Sequence, residues 1–182
     1  MIIKKRTIVI ISFMLVGTFM SHAQNDNPFK FGIKAGAIRS DIANSNSKSK
    51  IGLVGGFFTQ YRFSEKIAMR SELLYGAYGA KPRGADNMNL NYIQVLPSLL
   101  KVYPTNKLAV ETGPYASYLV STKGLDKSNF KKLDYGATLG LSYDITSQLE
   151  IEARYNMGIR DITKTIGRPK NRAIQVTLSY GF

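Results

Sequence analysis

The chain has 182 residues and a formal net charge of +13, and hydrophobic residues make up 44% of it. This length suits one domain with its own core, and the hydrophobic share excludes a disordered basic tail. The absence of Cys excludes disulfide frameworks, thiol nucleophiles and thiolate metal sites. Taken alone, the positive charge suggests nucleic acid or an anionic surface as partner.

The first 23 residues have the pattern of a cleaved signal peptide. Residues 4–6 are basic, residues 8–20 form an apolar run, and small side chains on both sides of His22 precede the expected cleavage site. The apolar run is well short of the roughly 20 residues that a membrane-spanning helix needs. We therefore expect export rather than a membrane anchor, with residues 24–182 as the mature domain.

Export removes the only histidine, His22. The mature chain then has 159 residues, neither His nor Cys, and a net charge that falls from +13 to +10 as the three basic residues at 4–6 are lost. Histidine-based general bases, Ser-His-Asp triads and histidine metal sites are thereby excluded. We expect no catalytic residues, no cofactor and no metal, and an exported chain is an improbable partner for nucleic acid.

Eight runs with period-two alternation follow, and no helix of ordinary length is predicted. The runs cover 29–38, 51–63, 66–78, 90–103, 107–120, 132–144, 148–159 and 172–182. Three connections are tight, at 64–65, 104–106 and 145–147, and four are long and polar, at about 39–50, 79–89, 121–131 and 160–171. This alternation of connection lengths is typical of outer-membrane barrels, with short periplasmic turns and long external loops. It predicts an all-β fold, an eight-stranded antiparallel up-and-down transmembrane β-barrel.

The heights of the aromatic residues decide which face points outward. In the last strand, Ile174, Val176 and Leu178 share one face, and Gln175 and Thr177 share the other. Along such apolar faces the aromatic residues fall into two groups, one near the short turns (Tyr61, Phe63, Tyr143, Tyr180, Phe182) and one near the long loops (Tyr75, Tyr118, Tyr135, Tyr155). Two aromatic girdles suit the two interfaces of a membrane. The apolar face is therefore predicted to meet lipid, and the polar face to line the interior.

The fourth run breaks the alternation. Gln94 and Lys101 have opposite parity, and neither suits a lipid-facing position. A one-residue bulge near Val95 to Pro97 would turn both inward, and Pro is tolerated at a bulge. We predict that bulge.

Several segments, taken in order, resemble the PorT-like outer-membrane β-barrel family. They include the Glu-Leu-Leu-Tyr stretch at 72–75, the Pro-x-Leu-Leu-Lys stretch at 97–101, the Gly-Pro-Tyr at 113–115 and the final aromatic Phe182. The similarity covers essentially the whole mature chain, and only the spacing before Pro97 departs from it. The resemblance implies an outer-membrane barrel and no particular activity. Membership of a secretion or gliding apparatus, which holds for some relatives, is not implied for this chain.

The inward-facing positions of the predicted strands carry a balanced set of charges, which we expect to form a structural polar network. The set comprises Lys34, Arg62, Arg70, Glu72, Lys101, Glu111, Asp134, Glu150, Glu152 and Arg154, five of each sign. An eight-stranded barrel is just wide enough for side chains to fill, and buried charges need partners. The alternatives are an ion or solute pathway through the barrel and a hydrolase that uses Glu150 and Glu152 as an acid/base pair.

The excess positive charge falls on the long loops and their edges, which carry thirteen Lys and Arg residues against four Asp. Candidates to face lipopolysaccharide phosphates are Lys81, Arg83, Lys123, Lys164, Arg168 and Lys170. A merely solvated rim is an equally good interpretation.

Together these features predict a monomeric outer-membrane barrel with a structural or adhesive function, or an accessory of a larger envelope assembly. Its partners would be outer-membrane lipid and the barrel-assembly machinery, which would take the C-terminal strand ending in Phe182. The alternatives are a soluble exported barrel that binds a small ligand, a narrow channel, and a lipid-modifying membrane enzyme.

Overall fold

The computed structural model describes residues 28–43, 47–82, 88–123, 131–161 and 170–182. Eight antiparallel strands close into one barrel in simple sequence order. The strands are β1 (Phe29–Ala43), β2 (Ser47–Arg62), β3 (Ile67–Pro82), β4 (Met88–Val102), β5 (Leu108–Lys123), β6 (Leu133–Asp144), β7 (Leu149–Asp161) and β8 (Lys170–Gly181). The predicted fold class is confirmed, and the signal peptide at 1–23 lies outside the described residues. Within the described ranges, no helix is long and apolar enough to cross a membrane.

The seam between the first and last strands closes the barrel. Pairing of β1 with β8 runs from Gly32 opposite Gly181 to Ala43 opposite Lys170. The backbone N–H of Phe182 donates to the carbonyl of Phe31 at 2.8 Å, and the rings of these two residues stack with centroids 6.2 Å apart. Closure leaves no open sheet edge, as a chain in hydrocarbon requires.

Side-chain direction follows the predicted parity. Leu139, Ile151 and Val176 point outward and are 52%, 41% and 49% exposed, while Arg70 and Glu152 point inward and are 2% and 1% exposed. Both aromatic groups lie on the outward face, at the two heights predicted. A soluble barrel would bury its apolar face instead, because exposed apolar patches of this size are unfavourable in water.

The strands extend further toward the long loops than the sequence indicates. β1 and β2 continue through most of the loop expected at 39–50 and leave only residues 44–46 between them, and β3 reaches Pro82 instead of ending near residue 78. Alternation of apolar and polar residues fades beyond the outer aromatic group, because both faces of a hairpin are polar once it leaves hydrocarbon. Backbone pairing does not depend on that alternation and continues.

The predicted bulge in β4 is confirmed. Arg70 pairs with Leu99 and Glu72 with Leu96, so Ser71 of β3 lies opposite two residues, Pro97 and Ser98. The Ser71 hydroxyl donates to the carbonyl of Pro97 at 2.6 Å. The extra residue turns both Gln94 and Lys101 into the interior, where they are 1% and 0% exposed.

Candidate functional site: the interior ion network

Side chains of two strands on opposite walls of the barrel meet across its axis. β3 and β7 lie four strands apart in a ring of eight. Their inward charges form two bidentate Arg–Glu ion pairs, which we call clasps. Arg70 Nη1 and Nη2 donate to the two carboxylate oxygens of Glu150 at 2.6 and 3.1 Å. Arg154 Nη1 and Nη2 donate to those of Glu72 at 2.8 and 3.1 Å. Bidentate pairs of this kind are among the strongest hydrogen-bonded contacts in proteins.

Residues from three other strands join these clasps. Lys34 Nζ of β1 donates to both Glu72 and Glu152 at 2.6 Å. Lys101 Nζ of β4 donates to Glu150 at 2.6 Å and lies 3.5 Å from Glu111 of β5. The ionic tier, as we name this cluster, comprises Lys34, Arg70, Glu72, Lys101, Glu111, Glu150, Glu152 and Arg154.

Charge is balanced within the ionic tier, with four cations and four carboxylates. Every member is at least 95% buried, and each one lies within 4 Å of at least two members of opposite sign. Burying a charge costs several kcal/mol unless partners replace its water. Mutual pairing at this density supplies those partners without a bound ion.

A glycine makes room for the tier. Gly140 of β6 faces inward, and a Cβ at this position would lie 2.9 Å from Glu111 Oε1. Glu111 in turn accepts from Arg154 Nε at 3.0 Å. The sequence signal for Gly140 was its place on the polar parity of β6, but nothing in the sequence showed which side chain would occupy the space.

Two of the ten predicted interior residues lie outside the ionic tier. Arg62 is at the short-turn end, where its side chain is 36% exposed and Nη2 lies 3.8 Å from Asp144. Asp134 is buried toward the long-loop end, where Asn171 Nδ2 donates to its Oδ2 at 3.0 Å. The ten inward charges are therefore divided between different heights along the barrel, because residues that share a parity still differ in height.

Above the ionic tier the interior becomes aromatic and apolar, which the sequence analysis missed. The Tyr78 hydroxyl donates to Gln94 at 3.2 Å and accepts from Gln175 Nε2 at 3.1 Å, and the Tyr78 and Tyr92 rings meet edge to face. Inward apolar side chains from β1 to β5 complete a buried cluster with these tyrosines, among them Ile38, Val54, Leu74, Leu90 and Leu119. Leu96 and Leu99 extend the cluster down beside the ionic tier, where they pair with Glu72 and Arg70. The position of these apolar residues in the alternation predicted that they face inward, but this conflicted with the expectation of a wholly polar interior.

The ionic tier joins strands of the barrel through ion pairs and shows no arrangement suited to catalysis. Glu150 and Glu152, the acid/base pair of the hydrolase alternative, each lie within 4 Å of at least two cations and are 5% and 1% exposed, so neither carboxylate is open to a substrate in solution. In the part of the chain that the structure describes, no three or more His, Cys, Asp or Glu side chains are arranged so that they could hold a metal ion.

The predicted lipopolysaccharide-facing cations belong to the opposite, long-loop end. Lys81 and Lys123 lie in the last residues of β3 and β5, and Lys170 begins β8 and is half-buried. Arg83, Lys164 and Arg168 lie outside the described residues.

Comparison with known proteins identifies the family of this chain. The sequence model for the outer membrane protein beta-barrel domain matches residues 22–164. The chain belongs to this family. It is therefore an outer-membrane protein, and its apolar exterior faces membrane lipid. Its short turns correspond to the periplasmic end and its long loops to the extracellular end, as is general for barrels of this class.

Solved structures show the same fold at low sequence identity. Neisserial surface protein A is 15% identical with a TM-score of 0.57, and the match covers 86% of this chain and 98% of that one. Ail, the attachment invasion locus protein of Yersinia pestis, is 12% identical with a TM-score of 0.51, and the match covers 86% of this chain and 100% of that one. Comparison with curated protein sequences gives no match.

Proposed function

We propose that this outer-membrane barrel is non-catalytic and acts through its surfaces, either as a structural or adhesive protein or as an accessory of a larger envelope assembly. The observation that carries the proposal is the filled interior. The ionic tier and the aromatic and apolar cluster above it occupy the barrel in succession. A barrel of eight strands that is filled by its own side chains has its outer wall and its two ends left for function. The interior residues, in this proposal, serve stability.

The extracellular rim is the first candidate surface. Its cations, Lys81, Arg83, Lys123, Lys164, Arg168 and Lys170, would make charge-assisted hydrogen bonds to lipopolysaccharide phosphates. The structural neighbour Ail has also been crystallised with a sulfated ligand, the heparin analogue sucrose octasulfate, which illustrates that a barrel of this fold can accept a polyanion.

The test replaces Lys164, Arg168 and Lys170 with Gln and measures unfolding in bilayers with and without lipopolysaccharide. Lipopolysaccharide should stabilise the unmodified chain more than the triple variant, and the two chains should unfold alike in phosphatidylcholine. Equal stabilisation of both by lipopolysaccharide would refute the rim contact. Incubation with labelled phospholipid tests the enzymatic alternative, since turnover above that of a heat-unfolded control would contradict the proposed lack of catalysis.

Assembly and family membership complete the proposal. Phe182 is 57% exposed on the outward face beside Tyr180, and we propose that the barrel-assembly machinery takes the C-terminal strand by this end before β1 pairs with it. We also propose that the chain is PorT-like within its family, on the motifs quoted above, and that it acts as a monomer.

The test of C-terminal recognition is removal of Phe182, which should slow insertion by the purified assembly machinery more than spontaneous folding into detergent. An equal effect on both would contradict a role in recognition.

A further inference from the structure

The periplasmic end of the barrel contains an open cavity of about 690 Å³. We call it the periplasmic vestibule. Inward positions near the strand ends supply Lys30, Arg62 and Asp144, and the short turns supply most of the remaining wall, including Lys107 and Ser147. Lys30 shares the parity of Lys34 on β1, yet it lies below the ionic tier and contributes nothing to its charge balance.

Positive charge predominates in the vestibule. Among its lining residues, Lys30, Arg62 and Lys107 oppose a single carboxylate, that of Asp144. The Arg62–Asp144 separation of 3.8 Å is long for an ion pair, and both side chains are partly exposed. The ionic tier deeper in the barrel is already balanced, so it does not offset this excess.

Neutral groups position two of the cations. Lys30 Nζ donates to the carbonyl oxygen of Ser147 at 2.6 Å. The Arg62 guanidinium lies over the Tyr103 ring, 4.2 Å from its centroid. A carbonyl and an aromatic face hold a cation in place without cancelling its charge. Both cations therefore remain available to an anionic group that enters the vestibule.

Tyr103 also lies close to both Arg62 of the vestibule and Lys101 of the ionic tier. It is 3% exposed, and Lys101 Nζ of the ionic tier lies 5.9 Å from its ring centroid. A space of only about 10 Å³, enough for a water molecule, continues from Lys30 toward Arg70 and Glu150. A ligand must therefore enter and leave on the periplasmic side.

We propose that the periplasmic vestibule binds a carboxylate-rich peptide segment of a periplasmic protein. Its volume lies in the range of sites for ligands of several hundred daltons, which is more than one carboxylate or phosphate would fill. The closed barrel offers no free edge for strand addition, so recognition depends on the three cations. This proposal concerns the end opposite to the extracellular rim and does not depend on the rim contact.

The experiment measures binding of a fluorescein-labelled hexaglutamate peptide to the folded, detergent-solubilised mature barrel by fluorescence anisotropy. Because the double variant Arg62→Gln/Lys107→Gln removes two of the three cations of the vestibule, it should raise Kd about tenfold, or about 1.4 kcal/mol. The matched control is Lys131→Gln/Lys132→Gln, which removes the same charge from the extracellular end and should leave Kd unchanged. Heat-modifiable migration in gels shows that each variant is folded.

Three results would overturn the proposal. The first is an equal loss of affinity in the vestibule and control variants, which would indicate attraction by net charge alone. The second is equal binding of a hexaglutamine peptide. The third is displacement of hexaglutamate by inorganic phosphate at the same concentration of charge, which would indicate a simple anion site. None of these results bears on the lipopolysaccharide test, so the two proposals fail separately.

Discussion

Arg154 of β7 clasps Glu72 of β3 across the full width of the barrel, although the two residues are 82 positions apart in the chain. The same arginine lies 2.9 Å from Glu111 and 2.7 Å from Glu152. Like Arg70, it therefore lies within 4 Å of three of the four carboxylates of the ionic tier, and it holds opposite walls of the barrel together from the inside.

Loss of one partner of this clasp should strongly destabilise the barrel. We expect Glu72→Gln or Arg154→Gln alone to lower the free energy of unfolding by about 3–5 kcal/mol, because each leaves uncompensated buried charge. The double variant removes one charge of each sign and should cost less than the sum of the two. Urea unfolding in lipid vesicles measures all three, with the exposed turn substitution Glu65→Gln as a control that should change little. Strict additivity would contradict the direct clasp.

The filled interior should not conduct ions. We expect the purified barrel to give no reproducible conductance steps in planar lipid bilayers, because the ionic tier and the cluster containing Leu96 and Tyr92 leave no continuous aqueous path among the described residues. A matched porin preparation serves as the positive control for insertion and recording. Discrete, ion-selective steps that disappear when the protein is heat-unfolded would revive the narrow-channel alternative.

Removal of the bulge should prevent folding more effectively than removal of its proline. Deletion of Ser98 restores a regular two-residue period in β4, which would turn either Gln94 or Lys101 toward lipid. A cation at the bilayer midplane costs about 2–4 kcal/mol, and the ionic tier would also lose a member if Lys101 turned outward. Pro97→Ala keeps the carbonyl that accepts from Ser71 and should cost under about 1 kcal/mol. Heat-modifiability compares the two variants, and equal folding yields would count against the bulge.

The free-energy cost of a charge on the outward face should depend on its depth in the bilayer. Leu139 lies midway between Tyr135 and Tyr143 along β6 and is 52% exposed, whereas Ile159 lies beyond the outer aromatic group on β7 and is 59% exposed. We expect Leu139→Arg to cost about 2–4 kcal/mol and Ile159→Arg about 0–1 kcal/mol in lipid vesicles. Similar costs at both positions would mean that the hydrocarbon boundary is not where the tyrosines indicate.

The fold was predictable because its determinants are local. Parity along a strand decides whether Val176 or Gln175 faces lipid, and tight turns such as 145–147 mark the strand ends. The bulge was predictable for the same reason, since Gln94 and Lys101 conflict within a single run. Each of these signals is contained within about ten residues, which is the length of one membrane strand.

The partners within the ionic tier were not predictable in this way. Parity places Arg62 and Arg70 on the same face, but only their height along the barrel separates the vestibule from the ionic tier. That height depends on strand tilt and stagger, which are properties of the closed ring and not of one strand. Inward Tyr78 and Leu96 were missed because apolar residues on the polar parity look like interruptions until the volume they fill is known.

The seam between β1 and β8 makes the final residue of the chain part of the closure, through the bond from Phe182 to Phe31. Before β8 pairs with β1, the first strand has no neighbour on one side, and the twelve residue pairs of the seam are absent together. A form without this seam would leave a row of unpaired N–H and C=O groups on both β1 and β8, which hydrocarbon does not tolerate.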